Sequence, residues 1–437
     1  MKKIICAAAM LGGFVLSPAV WAMSELSDAE LAEVDGQALF NLSYLSPSDT
    51  GNYESANNIG FYKLGVEAEI AANLNIKKLQ LGCGGVNGGG ACDIDIDNLS
   101  LSGNSSTSAG RVQSDAVLTN PFFEFAIKNP NIAATREVVG FRVGSEAANG
   151  LLTFGLENLK DALNNGIPNG INSFSGYMEI APQTGLATVN SIQITQNGSP
   201  NPTGVALSGI ACSGPYFGGC GVIQTTYSTT SYTLDLTPTQ QATLTLPFQT
   251  ISGRRMQNVL LTATSSVSGI NITGSLSADT GLGLPLSGTT SGVLNNLPII
   301  ATIDENLGLF HKASLNNSPF SLALQSQNMR WPGTKSNAQR GWWMELSNPI
   351  DIGDVTPNKN IDIPIQTVKE ALGITNVYLA NNWVFCGVFA ISCLAGNINI
   401  GNINLPGTAT PANMLLSNLS LKNQDFAPNC YGGLKFC

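Results

Sequence analysis

The chain has 437 residues, of which 43% are hydrophobic and only 11% are charged, a composition that belongs to a folded protein and excludes a disordered chain. Its 20 basic and 29 acidic side chains give a formal net charge of −9, so we expect no nucleic-acid partner. The single histidine, His311, excludes zinc sites built on several histidines.

Residues 1–22 have the three parts of a secretory signal peptide. Lys2 and Lys3 form a basic start, and residues 4–16 form an apolar run that is short for a bilayer span. Val20 and Ala22 are compact residues at the −3 and −1 positions of a cleavage site after residue 22. Cys6 lies inside the apolar run, which does not indicate a lipid anchor. We therefore predict export to the periplasm or cell surface, with no transmembrane segment in the mature chain.

The first predicted element of the mature chain is a short helix within residues 23–45. Leu26, Leu31 and Val34 recur near helical spacing, and Gly36 ends the pattern. From Phe40 onward, apolar residues alternate with Ser, Thr, Asn and Gly, which is typical of strands. Residues 46–437 are therefore predicted to form a β-rich body. No clear linker divides it, and if it has two lobes the boundary falls near residue 230.

The clearest predicted strands form a hairpin with cysteines at its tip. Residues 74–81 alternate and lead to Cys83, and residues 94–101 alternate after Cys92. A similar unit is predicted near the C terminus, where residues 377–385 and 397–405 flank another cysteine couple. We interpret the two units as diverged copies, and residues 121–127 and 319–324 as a second echo.

The eight cysteines that follow the predicted signal peptide form four couples that are close in sequence. The couples are Cys83 with Cys92, Cys212 with Cys220, Cys386 with Cys393, and Cys430 with Cys437. An even number of cysteines in an exported chain indicates disulfides, and closing short loops costs the least chain entropy. We therefore predict four local bridges. Metal ligation is the alternative, but the spacings exceed Cys-x-x-Cys and no histidine accompanies them.

The remaining elements complete the predicted fold class. Alternation over residues 232–324 predicts consecutive antiparallel strands, and residues 156–163 and 365–372 predict short helices, the second with Gly373 as its C-cap. We predict a mainly β protein, with long twisted antiparallel sheets, two or three short helices and disulfide-closed hairpin tips. A parallel β-solenoid is the alternative, but no fixed period of about 20 to 30 residues recurs.

Three aspartates form the one calcium candidate of the sequence. Asp93, Asp95 and Asp97 alternate, so on a strand they share a face with about 6.6 Å between neighbours. The matching C-terminal positions within residues 397–402 are asparagines, which favours a solvated polar face, and no EF-type loop is present. We predict neither a metal site nor a cofactor.

Two further groups of residues raise the question of a binding or catalytic site. His311 lies in a segment without a Gly-x-Ser-x-Gly motif, so we predict a surface or half-buried histidine and no serine hydrolase. Trp331, Trp342 and Trp343 form the one aromatic-rich patch, and such surfaces bind sugars or partner proteins. The alternative is that these tryptophans lie in the core or at a strand corner.

Two segments resemble the FilA family of pilus-system proteins of Gram-negative bacteria. They are LSDAELAEVDGQ (residues 26–37) and NPFFEFAIKNP (120–130), the latter running on to TREVVGFR (135–142). The resemblance covers about the first third of the chain. It implies an exported component of a fimbria-like system, without enzymatic activity or a cofactor.

These observations lead to three hypotheses about function. The first is a non-enzymatic structural, adhesive or assembly component of a pilus-like system, with other pilus-system or envelope proteins as partners. The second is a periplasmic or outer-membrane-associated binder of lipid or another apolar ligand, in a trough lined by residues 281–286 and 297–300. The third is a carbohydrate-active enzyme, which needs two carboxylates about 5 to 9.5 Å apart. We predict that the protein is not an enzyme.

Overall fold

The computed structural model describes residues 40–84, 91–155, 170–213, 223–236, 241–279, 285–385, 397–417 and 422. Of the described residues, 61% lie in strands and 8% in helices, so the predicted mainly β class is confirmed. The helices predicted within residues 23–45 and at 156–163 fall wholly or mostly outside the described residues. No described helix has the length and apolar character that a membrane crossing requires.

The strands in the first part of the chain are β1 (Phe40–Leu45), β2 (Ile59–Val66), β3 (Glu69–Ala72), β4 (Leu74–Leu81), β5 (Ile94–Ser102), β6 (Ala116–Lys128), β7 (Glu137–Asn149), β8 (Leu151–Thr153), β9 (Ile171–Ile180), β10 (Gln183–Thr188), β11 (Ile192–Thr195), β12 (Ser208–Ser213) and β13 (Ile223–Leu236). Those that follow are β14 (Gln241–Leu246), β15 (Gln249–Met256), β16 (Asn258–Val267), β17 (Ile270–Asp279), β18 (Pro285–Asn295), β19 (Leu297–Asn306), β20 (Lys312–Ser314), β21 (Ser318–Gln325), β22 (Gly341–Ile350), β23 (Val384–Phe385), β24 (Asn397–Asn404) and β25 (Ala412–Ser417). The described α-helices are α1 (Ser108–Val112) and α2 (Ile365–Asn381), and short 3-10 turns occupy Ser55–Asn57 and Leu307–Leu309.

The described strands form three sheets. The largest has the order β1-β2-β6-β7-β21-β22-β9-β5-β8-β20, with β3, β4 and β15 attached beside β6, β5 and β9. The second has the order β10-β14-β16-β19-β25, and the third has the order β23-β12-β13-β17-β18-β24 with β11 beside β13. Most pairs are antiparallel, but β9 with β22, β12 with β23, β18 with β24 and β19 with β25 are parallel.

The prediction of consecutive antiparallel strands over residues 232–324 is only partly right. β17 and β18 pair as neighbours in the chain, but β14, β16 and β19 belong to the second sheet while β13, β17 and β18 belong to the third. The chain therefore passes back and forth between these two sheets, and at β15, β20 and β21 it also enters the largest sheet. Alternation shows which side chains of a strand are buried, and it carries no information about which strand lies beside it.

The main core lies between the three sheets and is closed by α2. It joins Phe174 of the first sheet, Leu261 of the second, Ile272 of the third and Leu372 of α2 in one cluster of buried side chains. Residue 230, the expected position of a lobe boundary, falls inside β13, and buried members of this core lie on both sides of it in sequence.

Helix α2 corrects the prediction that Gly373 ends this element. The helix continues through Gly373 to Asn381, because its buried face is continued by Thr375 and Leu379. The hydroxyl of Thr375 also donates to the carbonyl of Ala371 at 2.8 Å, which satisfies this buried polar group within the helix. Gly373 itself is exposed, so no tertiary contact requires the helix to stop there.

The hairpin of residues 74–101 is confirmed, whereas its predicted C-terminal copy is wrong. β4 and β5 pair antiparallel from Leu74–Leu101 to Leu81–Ile94, and Cys83 is bonded to Cys92 beyond them. In the C-terminal unit most of residues 377–385 belongs to α2, and the short β23 pairs with β12, while β24 pairs with β18. Short apolar runs fit both helical and strand periods, which explains the error.

The second sequence echo has a structural counterpart. Residues 121–127 lie in β6 and residues 319–324 lie in β21, and these two strands flank β7 on its two sides. This part of the largest sheet carries an exposed apolar surface.

Candidate interaction surface

Five neighbouring strands of the largest sheet, β1, β2, β6, β7 and β21, bring apolar side chains to one side of it. Successive residues of a strand point to opposite faces, so each face receives every second side chain. The registers place Tyr44 opposite Tyr62 and Tyr62 opposite Phe125. Phe125 lies opposite Phe141, which lies opposite Leu324. These five side chains form a first row across the sheet.

A second row lies beside the first on the same face. It runs from Leu42 to Leu64, then to Phe123, Val143 and Leu322. We call the ten side chains of the two rows the aromatic face. At the β21 side it meets the main core, because Leu322 packs against that cluster.

The rings of the aromatic face lie against one another. The centroids of Tyr44 and Tyr62 are 4.2 Å apart in a stacked arrangement, and those of Phe125 and Phe141 are 5.3 Å apart and tilted. Phe123 and Phe141 are stacked at 6.2 Å. Aromatic pairs at such distances contribute about 0.5–1.5 kcal/mol beyond area burial. The rings are thus held in place although the described part of the chain leaves several of them partly exposed.

Much of the aromatic face is open to solvent. Leu42 is 75% exposed, Phe123 47% and Phe125 41%. None of its ten side chains is charged, since Lys63, Glu124 and Arg142 alternate with them and lie on the other side of the sheet. Strands are about 4.8 Å apart, so five strands make an apolar surface about 20 Å wide. Contiguous exposed apolar patches of this kind are typical of interaction sites, which makes the aromatic face the candidate site of this molecule.

The other side of the same strands is covered by the chain segment 326–340, which holds Trp331, one of the three tryptophans of the predicted contact patch. Trp331 and Trp343 are buried with Phe61, and the indole nitrogens donate to the Gln325 and Ser336 side chains at 3.1 Å each. Trp342 is half-buried against the main core. The three tryptophans therefore do not form a common exposed patch, because adjacent residues of β22 point to opposite faces.

A buried ion pair fastens the covering segment to the sheet. The guanidinium of Arg142 donates from Nε to Glu124 Oε2 at 2.8 Å and from Nη2 to the same oxygen, and Nη2 also donates to the Pro332 carbonyl at 2.9 Å. The guanidinium lies 5.1 Å from the Phe122 ring and 5.3 Å from the Trp331 ring. Burial raises the pKa of the Glu124 carboxyl, and the opposing charge of Arg142 only partly offsets this.

Two more buried carboxylates hold the same segment. Lys335 Nζ donates to both oxygens of Glu179 at 2.8 Å, and the Lys335 backbone N–H donates to Glu345 Oε1 at 2.7 Å. Ser336 Oγ donates to Glu345 Oε2 at 2.6 Å. Burial and a hydrogen bond to Glu179 raise the pKa of Tyr177 to about 12. Both carboxylates accept hydrogen bonds from the covering segment, so their role here is to hold the structure together.

The three aspartates of the calcium candidate do not share one set of partners, because Asp93 is separated from the other two. Asp93 is fully buried before β5, where it accepts from Arg255 Nε at 2.9 Å and from the Trp342 backbone N–H at 3.0 Å. Lys78 lies between the other two, at 2.6 Å from Asp95 and 2.9 Å from Asp97. The expectation of one solvated face is therefore wrong for Asp93, which lies inside the molecule.

The electrostatics around Asp95 agree with this geometry. Burial acts to raise the pKa of Asp95, but hydrogen bonds from Lys78, Gln80 and Asn172 outweigh it and hold the pKa below its usual range. A lysine ammonium thus occupies the place between Asp95 and Asp97 that a calcium ion would need. Among the described residues, no three metal-ligating side chains form a site.

His311 is buried, contrary to the prediction of a surface or half-buried position. Its ring Nδ1 lies 2.6 Å from the Phe154 carbonyl oxygen, and the Phe154 backbone N–H donates to the His311 carbonyl at 3.0 Å. These hydrogen bonds offset the cost of removing the polar ring from water. They also join the segments that carry β8 and β20.

The cysteine predictions are confirmed for one bridge. Cys83 and Cys92 are bonded, and Cys212 is also disulfide-bonded. Cys220, the partner predicted for Cys212, lies outside the described residues, and so do all four cysteines of the last two couples, Cys386, Cys393, Cys430 and Cys437.

A polar groove of about 400 Å³ lies beside β1, on the side of the sheet opposite the aromatic face. Its charged lining residues are Lys63, Glu67, Glu69 and Glu146. Lys63 and Glu146 form an ion pair at 2.7 Å, and hydrogen bonds from Lys63 and Asn120 lower the pKa of Glu146. Glu67 and Glu69 are exposed and leave an excess of negative charge, so we call this the acidic groove.

Two interior cavities lined by described residues are small, at about 30 Å³ each. Residues 281–284 of the predicted apolar trough lie outside the described residues, while Leu297 and Ile299 line a cavity of about 30 Å³ between the sheets and α2. Ligand pockets measure about 300–1,000 Å³, so this cavity admits no lipid. A larger groove of about 670 Å³ lies on the outside of α2, where Ile374, Val377 and Leu405 line it.

The aromatic face itself was missed in the sequence. Phe123 and Phe125 lie in the segment that carries the family resemblance. Phe122 and Ala126, on the other face of the strand, are apolar as well, so the sequence pattern is consistent with burial of both faces. The available signal was this apolar character on both faces of one strand. Which face stays open depends on the position of the segment 326–340, which comes from far along the chain.

Comparisons with known proteins return no match: no family model, no curated protein and no solved structure is similar to this chain.

Proposed function

We propose that the protein is an exported, non-enzymatic assembly or adhesion component of a pilus-like system and that it contacts its protein partners through the aromatic face. The observation that carries the proposal is the open, uncharged surface of ten apolar side chains across five strands. The predicted signal peptide and the resemblance to the FilA family support the compartment and the system.

The chemistry of the aromatic face suits a protein partner. The cores of protein–protein interfaces are depleted in charge and enriched in aromatic side chains, which contribute most of the binding energy. The rings here are attached to paired strands and contact one another, so little side-chain entropy is lost when a partner covers them. The Cys83–Cys92 bridge suits an oxidising compartment.

Protease shaving of intact cells tests the location. Peptides released from the mature chain are identified by mass spectrometry, with a periplasmic marker protein as the control for leakage. We expect peptides from the exposed loops of the mature chain and none from the marker. Protection until the outer membrane is opened would contradict a surface role and leave assembly within the periplasm.

Site-specific photo-crosslinking tests the aromatic face in the same cells. A photoreactive residue at position 125 should capture an envelope protein, because Phe125 is 41% exposed on the aromatic face. The control position is 260, since Leu260 is 68% exposed on the second sheet. Equal products at both positions, or none at position 125, would contradict the proposed contact.

A second candidate function is binding of an apolar ligand, and the groove outside α2 favours it. Its volume of about 670 Å³ falls in the range of small-molecule sites, and its wall includes Ile374, Val377 and Leu405. Native mass spectrometry of the protein purified from its own envelope tests this candidate. A bound lipid would support it, and a spectrum of the ligand-free mass alone would count against it.

A further inference from the structure

We propose that β1 is a docking edge that takes one strand from a partner protein, and that this strand carries apolar residues on one face and basic residues on the other. The inference rests on the proposed function only in that the partner is a protein. It concerns the edge of the sheet and the acidic groove beside it, and it adds the chemistry of the partner.

The edge of β1 lacks the features that normally prevent strands from pairing between molecules. β1 is Phe40-Asn41-Leu42-Ser43-Tyr44-Leu45, without a charge or a proline, and its six residues pair with β2 in unbroken register. No described strand pairs with its outer edge. Edge strands of natural proteins are usually protected by lysines, bulges or prolines.

Other edges of the same sheet do carry such protection. β4, which pairs only with β5, contains Lys77 and Lys78. β15, which pairs only with β9, contains Arg254 and Arg255 and has an irregular register at this point. The absence of any such feature in β1 therefore distinguishes it from these two edges.

The backbone determines how the partner strand must lie. In a strand every second residue directs its N–H and C=O groups to a given edge, and directly opposed residues place their side chains on the same face. A strand added to β1 therefore has a set of side chains next to Leu42 and Tyr44. Apolar residues at these positions would continue the two rows of the aromatic face and cover their open end.

The alternate side chains of the added strand would lie next to Asn41 and Ser43, at the mouth of the acidic groove. Glu67 and Glu69 give this groove its excess negative charge, and Gly65 leaves room in it because it has no side chain. A long basic side chain can reach across β1 into this space. Charge complementarity thus favours lysine or arginine on the polar face of the partner strand.

A second copy of the chain fits this edge less well. Its β1 would bring Asn41 and Ser43 to the acidic groove, and these carry no positive charge. Both copies also have a formal net charge of −9. Self-association is therefore an outcome of the test that would overturn the proposal.

The test measures binding of a fluorescent 12-residue peptide with alternating valine and lysine to the purified mature chain by anisotropy. A peptide of alternating valine and glutamate reports the charge requirement, and a peptide with the same valines and lysines in blocks reports the strand pattern. We expect the alternating lysine peptide to bind at least tenfold more tightly than either, with an affinity that falls as salt is raised. Hydrogen exchange of residues 40–45 should slow when it binds.

Two sets of variants connect binding to the structure. Glu67→Gln with Glu69→Gln should weaken binding about fivefold, whereas Asp115→Asn with Glu137→Gln should leave it unchanged, because these exposed carboxylates lie just before β6 and at the start of β7, outside the groove. Leu42→Lys places a charge at the edge and should also weaken binding at least fivefold, and since Leu42 is 75% exposed this variant should still fold.

Several results would overturn the proposal. They are equal binding of the alternating and blocked peptides, equal binding by the groove and control variants, unchanged exchange of residues 40–45, and a concentration-dependent dimer without peptide binding. The measurement uses purified protein, so it can fail while cell shaving and crosslinking succeed, and the reverse also holds.

Discussion

Arg142 illustrates how single residues fasten the covering segment of this fold. It is 5% exposed, and it reaches Glu124 on the neighbouring strand and the Pro332 carbonyl of the segment 326–340. A buried ion pair adds little net stability relative to apolar residues, but removing one partner leaves an uncompensated charge. The pair therefore matters mainly for keeping the segment, with Trp331, in one position over the sheet.

Arg142→Met should lower the free energy of unfolding by about 3–5 kcal/mol at neutral pH, because it leaves the Glu124 carboxylate buried without its partner. The loss should depend on pH. Without the arginine, burial raises the pKa of Glu124 further above the unfolded value of about 4.3. The stability gap to the parent protein should thus be smallest below about pH 4 and grow as pH rises through the folded-state pKa.

Urea unfolding at pH 4 and pH 7 checks this prediction. The double variant Arg142→Met with Glu124→Gln is the control, since it removes the charge as well and should recover at least half of the loss at pH 7. A loss that is the same at both pH values, or one that the double variant does not reduce, would contradict the account of an unpaired carboxylate.

At the scale of elements, local sequence determines the hairpin β4–β5, whereas tertiary packing determines where helix α2 ends. The hairpin follows local rules, since its alternation, its cysteine couple and its antiparallel register agree. The end of α2 follows the tertiary structure, because Thr375 and Leu379 find buried positions beyond a glycine that would usually stop a helix.

Gly373→Ala should raise the free energy of unfolding by about 0.5–1 kcal/mol. Glycine in a helix interior costs about this much relative to alanine, and an added Cβ at Gly373 meets no atom within 4 Å. Gly333→Ala is the matched control. It also has open space, but its φ of +73° is left-handed, so alanine there should destabilise the protein by about 1 kcal/mol. Equal effects of the two changes would contradict the argument.

The disulfides give a second prediction at this scale. Peptide mapping without reduction should recover Cys83 joined to Cys92 and three further local bridges, which are Cys212–Cys220, Cys386–Cys393 and Cys430–Cys437. Replacing Cys83 and Cys92 by serine should lower the free energy of unfolding by about 2.5 kcal/mol, the chain-entropy estimate for a loop of about ten residues. A single cross-link between different couples would contradict local pairing.

For the whole molecule, the aromatic face is an exposed surface attached to a packed sheet, so its side chains should contribute more to binding than to folding. Phe123 and Phe125 are 47% and 41% exposed, whereas Phe61 on the same sheet is 1% exposed under the covering segment. Changes on the two faces of one sheet should therefore have different effects.

Phe123→Thr with Phe125→Thr should cost less than about 2 kcal/mol of unfolding free energy, while Phe61→Ala should cost about 3–5 kcal/mol. The same double change should remove at least half of the fluorescence of a naphthalene-sulfonate dye that binds exposed apolar surface. Leu260→Thr, at a single apolar residue that is 68% exposed on the second sheet, should leave the dye signal nearly unchanged. Unchanged fluorescence in the double variant would show that the aromatic face is not the main exposed apolar patch.

The sequence by itself determined the mainly β class, the strands of residues 74–101, the start of α2 and the bridge between Cys83 and Cys92. Each of these depends on residues that are near one another in the chain, so periodicity and spacing are sufficient evidence. The tertiary structure decided the rest. Chain alternation does not say which strands become neighbours, or which side of an apolar strand is covered by a distant segment. For that reason Trp331 is buried and Phe123 is open, although both lie in aromatic-rich stretches.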